Sequence, residues 1–268
     1  MRNFLAALLL LTTGRAYTQE LFVYTEPASN MSAKSLGARL TQNFANEQGR
    51  VNYMVKPELM LGLSKKLMFH ADAIFSNDRH NSFGINGAGL YGKYRFYSSD
   101  EVHQHFRMAA FGSYSFANNH ITDAFIQLQN RSSGYEAGLI ATRLKNKLAL
   151  SAGASVVHAL DNRRQPFKFG DAQRNALNYS VSSGLLLLPK EYTSYKQTNL
   201  NVMLELLGQV NLGNGQSIID LAPSVQLIFN SRMRLDFGYR QPLLKSMHRN
   251  MSPGGLLRFE YNFFNIFK

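Results

Sequence analysis

Three short constellations in the chain hold residue types that do chemistry. His80-Asn81-Ser82 puts an imidazole and a hydroxyl on one face of an extended chain, because alternate side chains of a strand share a side. Folding back about residues 98–102 would bring Asn118 beside them. Ser82 could then attack an ester carbonyl, His80 take its proton and Asn118 orient the ring. His103-Gln104-His105 likewise sets two imidazoles on one face, the start of a metal grip. A wetted pair at a strand end explains the spacing better than a metal site. Ser133 and His158 can face each other across a hairpin, but no third group joins them. The sequence has no cysteine, which removes disulfide frameworks, thiolate metal sites and cysteine nucleophiles. Gly87, Gly89, Gly153 and Gly254-Gly255 do not make a phosphate loop, since no helix follows them; they relieve crowding or let strands bend. Neither a metal nor a cofactor is expected.

The elements that would position these residues are strands. The chain has 268 residues, 45% hydrophobic and 17% charged, which is too apolar for a disordered segment. Apolar and polar residues alternate with period two over segments bounded by Gly, Asn, Ser, Asp and Pro clusters. About twelve such segments are predicted. They fall at 34–45, 51–64, 66–76, 84–97, 103–117, 132–143, 147–158, 174–188, 197–210, 217–229, 232–240 and 254–264. Pro57 and Pro223 fall inside two of them, where a missing N–H demands a bulge or a displaced boundary.

The start of the chain reads as an address. Met1-Arg2-Asn3 is basic, an apolar run follows from Phe4 to Leu11, and small residues surround Gly14 and Ala16. That order is a secretory leader, residues 1–18, cleaved after Ala16 or Thr18. Residues 19–33 would form a periplasmic N-terminal segment, and 34–268 the folded body. The formal charge of +12 comes from basic residues spread singly, with no run longer than Arg163-Arg164 or Lys65-Lys66. Nucleic-acid binders instead cluster them, so no nucleic-acid partner is expected.

Which face carries the charges decides the environment. In 66–76, Leu67, Phe69, Ala71, Ala73 and Phe75 oppose Lys66, His70 and Asp72. In 254–264, Leu257, Phe259, Tyr261 and Phe263 oppose Arg258, Glu260 and Asn262. The apolar face carries essentially no charge except at strand ends such as Arg143. Strands this long, with a second face rich in Gly, Ser, Asn and Tyr, suit a closed antiparallel transmembrane β-barrel in meander order. Hydrocarbon tolerates such a wall because closure satisfies every backbone group. The lumen would then be lined by Arg39, Lys56, Glu58, Asp72, Lys93, Arg95, Arg107, Glu136, Glu205, Asp220, Arg232, Arg234, Asp236, Arg240, Arg258 and Glu260. Long outer loops are expected at 77–83, 118–131, 159–173 and 241–253. Aromatic belts would lie at Tyr94, Phe96, Phe106 and Phe263 on one rim and at Tyr114, Phe116, Tyr135 and Tyr239 on the other.

With that leader and the final amphipathic strand Gly254-Gly255-Leu256-Leu257-Arg258-Phe259-Glu260-Tyr261, the chain resembles bacterial outer-membrane β-barrel proteins, including uncharacterised porin-like members. The resemblance implies an outer-membrane location, contact with lipid and lipopolysaccharide, and recognition by the barrel-assembly machinery. The tail departs from it, running on through Phe264-Asn265-Ile266-Phe267-Lys268 instead of ending on an aromatic. About twelve strands make a barrel narrower than the 16–18-stranded open porins. A basic excess in the lumen would favour small polar or anionic solutes. Two other readings stay open: a structural or adhesion barrel whose lumen is plugged by paired charges, and a lipid hydrolase. The last is similar to the outer-membrane phospholipase A arrangement at His80, Ser82 and Asn118 only. Residues 20–31 would either occlude the inner mouth or hang as a tether.

Overall fold

The computed structural model describes residues 22–47, 50–79, 82–102, 104–121, 124–128, 132–163, 165–191, 194, 196–247, 249 and 254–266. Twelve antiparallel strands account for most of them: β1 (Ser35–Glu47), β2 (Arg50–Gly62), β3 (Leu67–Arg79), β4 (Ser82–Glu101), β5 (Gln104–Ala117), β6 (Gly134–Lys145), β7 (Leu148–Ala159), β8 (Asn175–Leu188), β9 (Asn199–Asn211), β10 (Ser217–Phe229), β11 (Met233–Lys245) and β12 (Gly254–Phe263). Each pairs with its neighbours in sequence, and β1 closes on β12 from Leu36↔Phe263 to Ala45↔Gly254. The predicted closed meander barrel is therefore the observed fold. The predicted leader, residues 1–18, lies outside the described residues.

Strand ends differ from the expectation mainly at the loops. β3 reaches Arg79 and β4 begins at Ser82, so most of the predicted outer loop at 77–83 is ladder. β11 continues to Lys245, which shortens the loop expected at 241–253. Both prolines sit inside strands, and each lies where one ladder is interrupted. Pro57 pairs with Leu40 of β1, while the β2–β3 register has no pair at Lys56 or Pro57. Pro223 pairs with Leu204 of β9, while the β10–β11 register skips Ala222 and Pro223. A residue without an N–H thus occupies a position where one neighbour asks for none.

The two faces of the wall separate as the alternation requires. Leu59, Phe69, Leu90, Leu139, Val181, Leu204, Phe237 and Phe259 point outward and are exposed. All eight aromatic residues expected at the rims are exposed as well, Tyr94 and Phe106 near the β1 start and Tyr114 and Tyr135 at the opposite end. Inward, Lys93, Glu205, Asp220, Gln226, Arg234 and Asp236 are buried almost completely. A wall of exposed Leu and Phe around ionised groups is stable only where the outside is hydrocarbon.

The interior is not polar throughout. Ile140, Leu144, Ala149, Met203 and Leu256 point inward and are buried, because residues from outside the barrel wall pack on them. Placing a cation on the outer face tests the orientation of the wall. Leu139→Arg, at the middle of β6 where Leu139 is 54% exposed, should lower stability in lipid vesicles by about 2–4 kcal/mol in reversible unfolding. A change within a few tenths would mean that this face does not meet lipid.

Candidate functional site: the occupied lumen

Two segments enter the barrel from opposite ends and leave a basic cavity between them. The first is residues 22–34, just before β1. Lys34 N–H donates to Gly62 O at the rim where β1 starts, and from there the chain lies within the lumen. An extended segment with no neighbouring strand must find partners for its backbone groups, and three buried wall residues, Glu205, Lys93 and Thr142, supply them. The Glu205 carboxylate accepts from Val23, Tyr24 and Thr25 N–H, each at 2.9 Å, and from Thr25 Oγ1 at 2.7 Å. Ser182 Oγ donates to the same carboxylate at 3.2 Å. On the other side, Lys93 Nζ donates to Pro27 O at 2.6 Å and Ser29 O at 2.9 Å. Thr142 Oγ1 takes the Ala28 N–H at 2.9 Å.

Apolar contacts then fix the segment's lateral place. Phe22 and Val23 pack with Leu144, Ala149, Met203 and Leu256, and Ala28 packs with Ala109 and Ile140. The Tyr24 ring lies over Gly238, where an added Cβ would come within 2.8 Å of it. Glu26 joins the ionic network, 3.1 Å from Arg39 and 3.7 Å from Lys93.

The second segment is the β5–β6 connection, whose described residues 118–121, 124–128 and 132–133 fold inward from the opposite rim. The side-chain amide of Gln209 behaves like a strand neighbour for it: Ile126 N–H donates to Oε1 at 2.8 Å, and Nε2 donates back to Ile126 O at 2.9 Å. The same Nε2 reaches Asn178, whose Nδ2 donates to Glu136. Ile121, Ile126 and Leu128 pack on Val157, Ala159 and Phe167, joining this loop to the β7–β8 connection. In that connection the Phe167 N–H and the Arg174 guanidinium hold the Asp161 carboxyl below the usual carboxylate range.

The charged side chains on the inward faces are largely held in ion pairs. Arg39 contacts Glu58 and Glu260 as well as Glu26. Glu58 also meets Lys56 and His70, the latter at 2.7 Å. Arg234 bridges Asp236 and Glu260, and Arg258 lies 3.6 Å from Asp236. Arg240 meets Asp220 at 2.6 Å. Asp72 faces Gly89, whose missing Cβ leaves room for the carboxylate. Arg107 sits near one mouth, reaching Ser29 Oγ and Asp100, and Arg95 is half-buried beside a bulge in β4. Arg232 is a correction. It lies in the exposed turn before β11, with its guanidinium over the Phe264 ring instead of in the lumen, because β11 starts one residue later than the alternation suggests.

Two participants escaped the sequence pattern. Arg249 lies in the β11–β12 connection, where no alternation could place it. It is buried, with Nη1 2.6 Å from the Asp220 carboxylate that Arg240 also contacts. Phe125, in the inward loop, stacks over both guanidinium groups at 5.9 and 5.2 Å. The signal available was their setting, a basic residue and an aromatic in long connections.

The cavity measures about 150 Å³ and is bounded by β1, β2, β3, β11 and β12. Val23 and Tyr24 of the N-terminal segment close one side, and Gln127 of the inward loop closes another. Its charged lining consists of Lys56, Arg240, Arg249 and Arg258, and no carboxylate lines it among the described residues.

Of the enzyme-like constellations, only parts fall among the described residues. His80 and the side chain of Ser82 lie outside the described residues, as does His103. Asn118 N–H donates to Asn86 O at the rim. His105 pairs with Asp100 at 2.9 Å, and no group of three or more metal-ligating side chains occurs among the described residues. His158 donates to or accepts from Asn175 and stacks on Tyr135, while Ser133 Oγ bonds the Ala117 backbone.

No protein-family model matches the chain, and no curated protein matches its sequence. Among solved structures it is similar to the COG4313 outer membrane channel from Pseudomonas putida F1, with TM-score 0.60 and 12% identity over 90% of this chain and 100% of that one. It is also similar to the NanC porin, with TM-score 0.51 and 8% identity over 85% of this chain and 98% of that one. Identities this low carry the fold and leave the solute open. On the closed meander, the apolar outer wall and these two likenesses together, the chain has the fold of the bacterial outer-membrane β-barrel proteins.

Proposed function

We propose that the protein is a narrow passive channel of a bacterial outer membrane for small polar or anionic solutes, closed at rest by residues 22–34. One observation carries the reading: the segment lodged in the lumen is fastened by polar contacts to Glu205, Lys93 and Thr142, with two apolar contacts beneath it, at Phe22-Val23 and at Ala28. Water can take over such polar contacts, so the segment can leave without exposing a large core. The fold likeness to a channel and a porin supports the same reading. Its outer wall would meet lipid and lipopolysaccharide after export and barrel assembly.

A second reading has its own support. Two segments entering from opposite ends also suit a permanently closed barrel with a structural or adhesive role, carried by the 118–133 and 160–174 connections. Planar-bilayer recording separates the two. The intact mature chain should show brief, small openings, and a chain lacking residues 22–31 should show a stable, larger conductance with a reversal potential displaced toward the anion. Absence of steps from the shortened chain in every salt would overturn the channel and leave the closed barrel.

The fastening itself is open to measurement, because the native chain has no cysteine to interfere. A reporter Val23→Cys is almost fully buried beside Glu205. Adding Glu205→Ala removes the acceptor of four hydrogen bonds from the segment and should speed thiol labelling by about tenfold or more. Equal rates in the two backgrounds would show that Glu205 does not hold the segment.

A further inference from the structure

We infer that the cavity between the N-terminal segment and the inward loop binds a small hydroxylated organic oxyanion, a carboxylate or a phosphate ester. As a step of permeation this rests on the channel reading; as a binding site it stands by itself.

Charge is the first ground. Four cationic side chains, Lys56, Arg240, Arg249 and Arg258, line the space, and their carboxylate partners all stand behind them. Arg240 and Arg249 share the single carboxylate Asp220. One positive charge is thus left without its own counter-charge in a buried place, where leaving it unneutralised is costly. An anion entering the cavity would supply the missing charge.

Geometry is the second. Arg249 is 3% exposed, and its Nε has no hydrogen-bond partner among the described residues. Each terminal nitrogen gives one N–H to Asp220, which leaves Nε–H and a second terminal N–H along the other edge. Phe125 covers the guanidinium groups of Arg240 and Arg249, which limits their movement and keeps their edges presented. A planar carboxylate or a phosphate is the acceptor such a guanidinium edge fits.

The remaining lining narrows the class. Asn43 and Gln127 offer amide groups that donate to or accept from hydroxyls. Met54 and Leu256, on the inward faces of β2 and β12, add a small apolar wall on which a carbon chain can rest. At about 150 Å³ the space lies below the roughly 300–1,000 Å³ of drug-sized pockets, so the occupant is small.

Titration calorimetry on the full mature chain in detergent tests the site, with D-gluconate, glucose 6-phosphate and uncharged glucose as probes. At least one anion should bind while glucose does not, and whichever anion binds identifies carboxylate or phosphate as the source. Binding should weaken as salt is raised. Arg249→Gln should weaken it about tenfold or more, Arg249→Lys should weaken it less, and exposed Lys65→Gln should leave it unchanged. Circular dichroism on each variant checks that the barrel is intact, and the three probes on the unaltered chain decide the matter without any variant. No heat from either anion, or equal binding of glucose, would overturn the site. So would unchanged binding by a folded Arg249→Gln. Anion binding without conductance overturns the channel and leaves the site, whereas conductance without anion binding does the reverse.

Discussion

The structure depends on one constraint, the closure of β1 on β12. A sheet in hydrocarbon cannot leave an edge, since each unpaired N–H or C=O there would cost several kcal/mol. The ten residue pairs from Leu36↔Phe263 to Ala45↔Gly254 remove that edge. Once the wall is closed, alternation leaves each side chain two options, lipid or lumen. Leu40 and Phe259 take the first, and Arg39 and Glu260, one residue along, take the second. Apart from strand ends such as Arg143, the ionised groups of the described strands are thereby collected in one narrow interior.

Collecting charges creates a second problem, which the lumen solves asymmetrically. On the side of β1, β2, β11 and β12, carboxylates and cations interleave: Glu260 receives Arg39 and Arg234, and Glu58 receives Arg39, Lys56 and His70. Pairing of this kind is what makes buried charge tolerable. The side of β5 to β9 has fewer charges and instead turns Ala109, Ile140, Leu144, Ala149 and Met203 inward. That apolar strip would be idle in an empty pore. It is where Phe22, Val23 and Ala28 lie, so the N-terminal segment sits toward the apolar side and the cavity stays toward the ionic one.

Period-two alternation made the fold legible, because one parity runs through long strands and a slip of one residue would reverse it. All twelve strands, and the inward place of residues such as Glu205 and Asp220, follow from it. It fails where no period exists. Arg249 and Phe125 belong to connections, and Glu26 and Tyr24 to the segment before the first strand, so nothing in their spacing aims them at the lumen. Inward Ile140 and Leu144 also break the polar-lumen expectation, and they do so because their partners arrive from outside the sheet. Pro57 and Pro223 looked like errors in the strand pattern for a related reason: whether a ladder needs an N–H at one position depends on the neighbouring strand.

How the lumen is filled bears on how firmly it is closed. A core element is held by apolar area, which only burial can satisfy. Residues 22–34 are held mainly by an acceptor and a donor placed opposite each other, Glu205 for the N–H groups and Lys93 for the carbonyls. Each such bond exchanges for one with water at a net change of only about 0.5–3 kcal/mol, provided that water reaches the site. Access therefore sets the strength of the fastening. From one end the route passes Arg107 and Ser29, which are polar and only partly buried. From the other it meets Ile121, Ile126 and Leu128, packed and nearly dry. On the channel reading, the segment would exchange from the rim where β1 begins, against an inward loop seated on an apolar cluster.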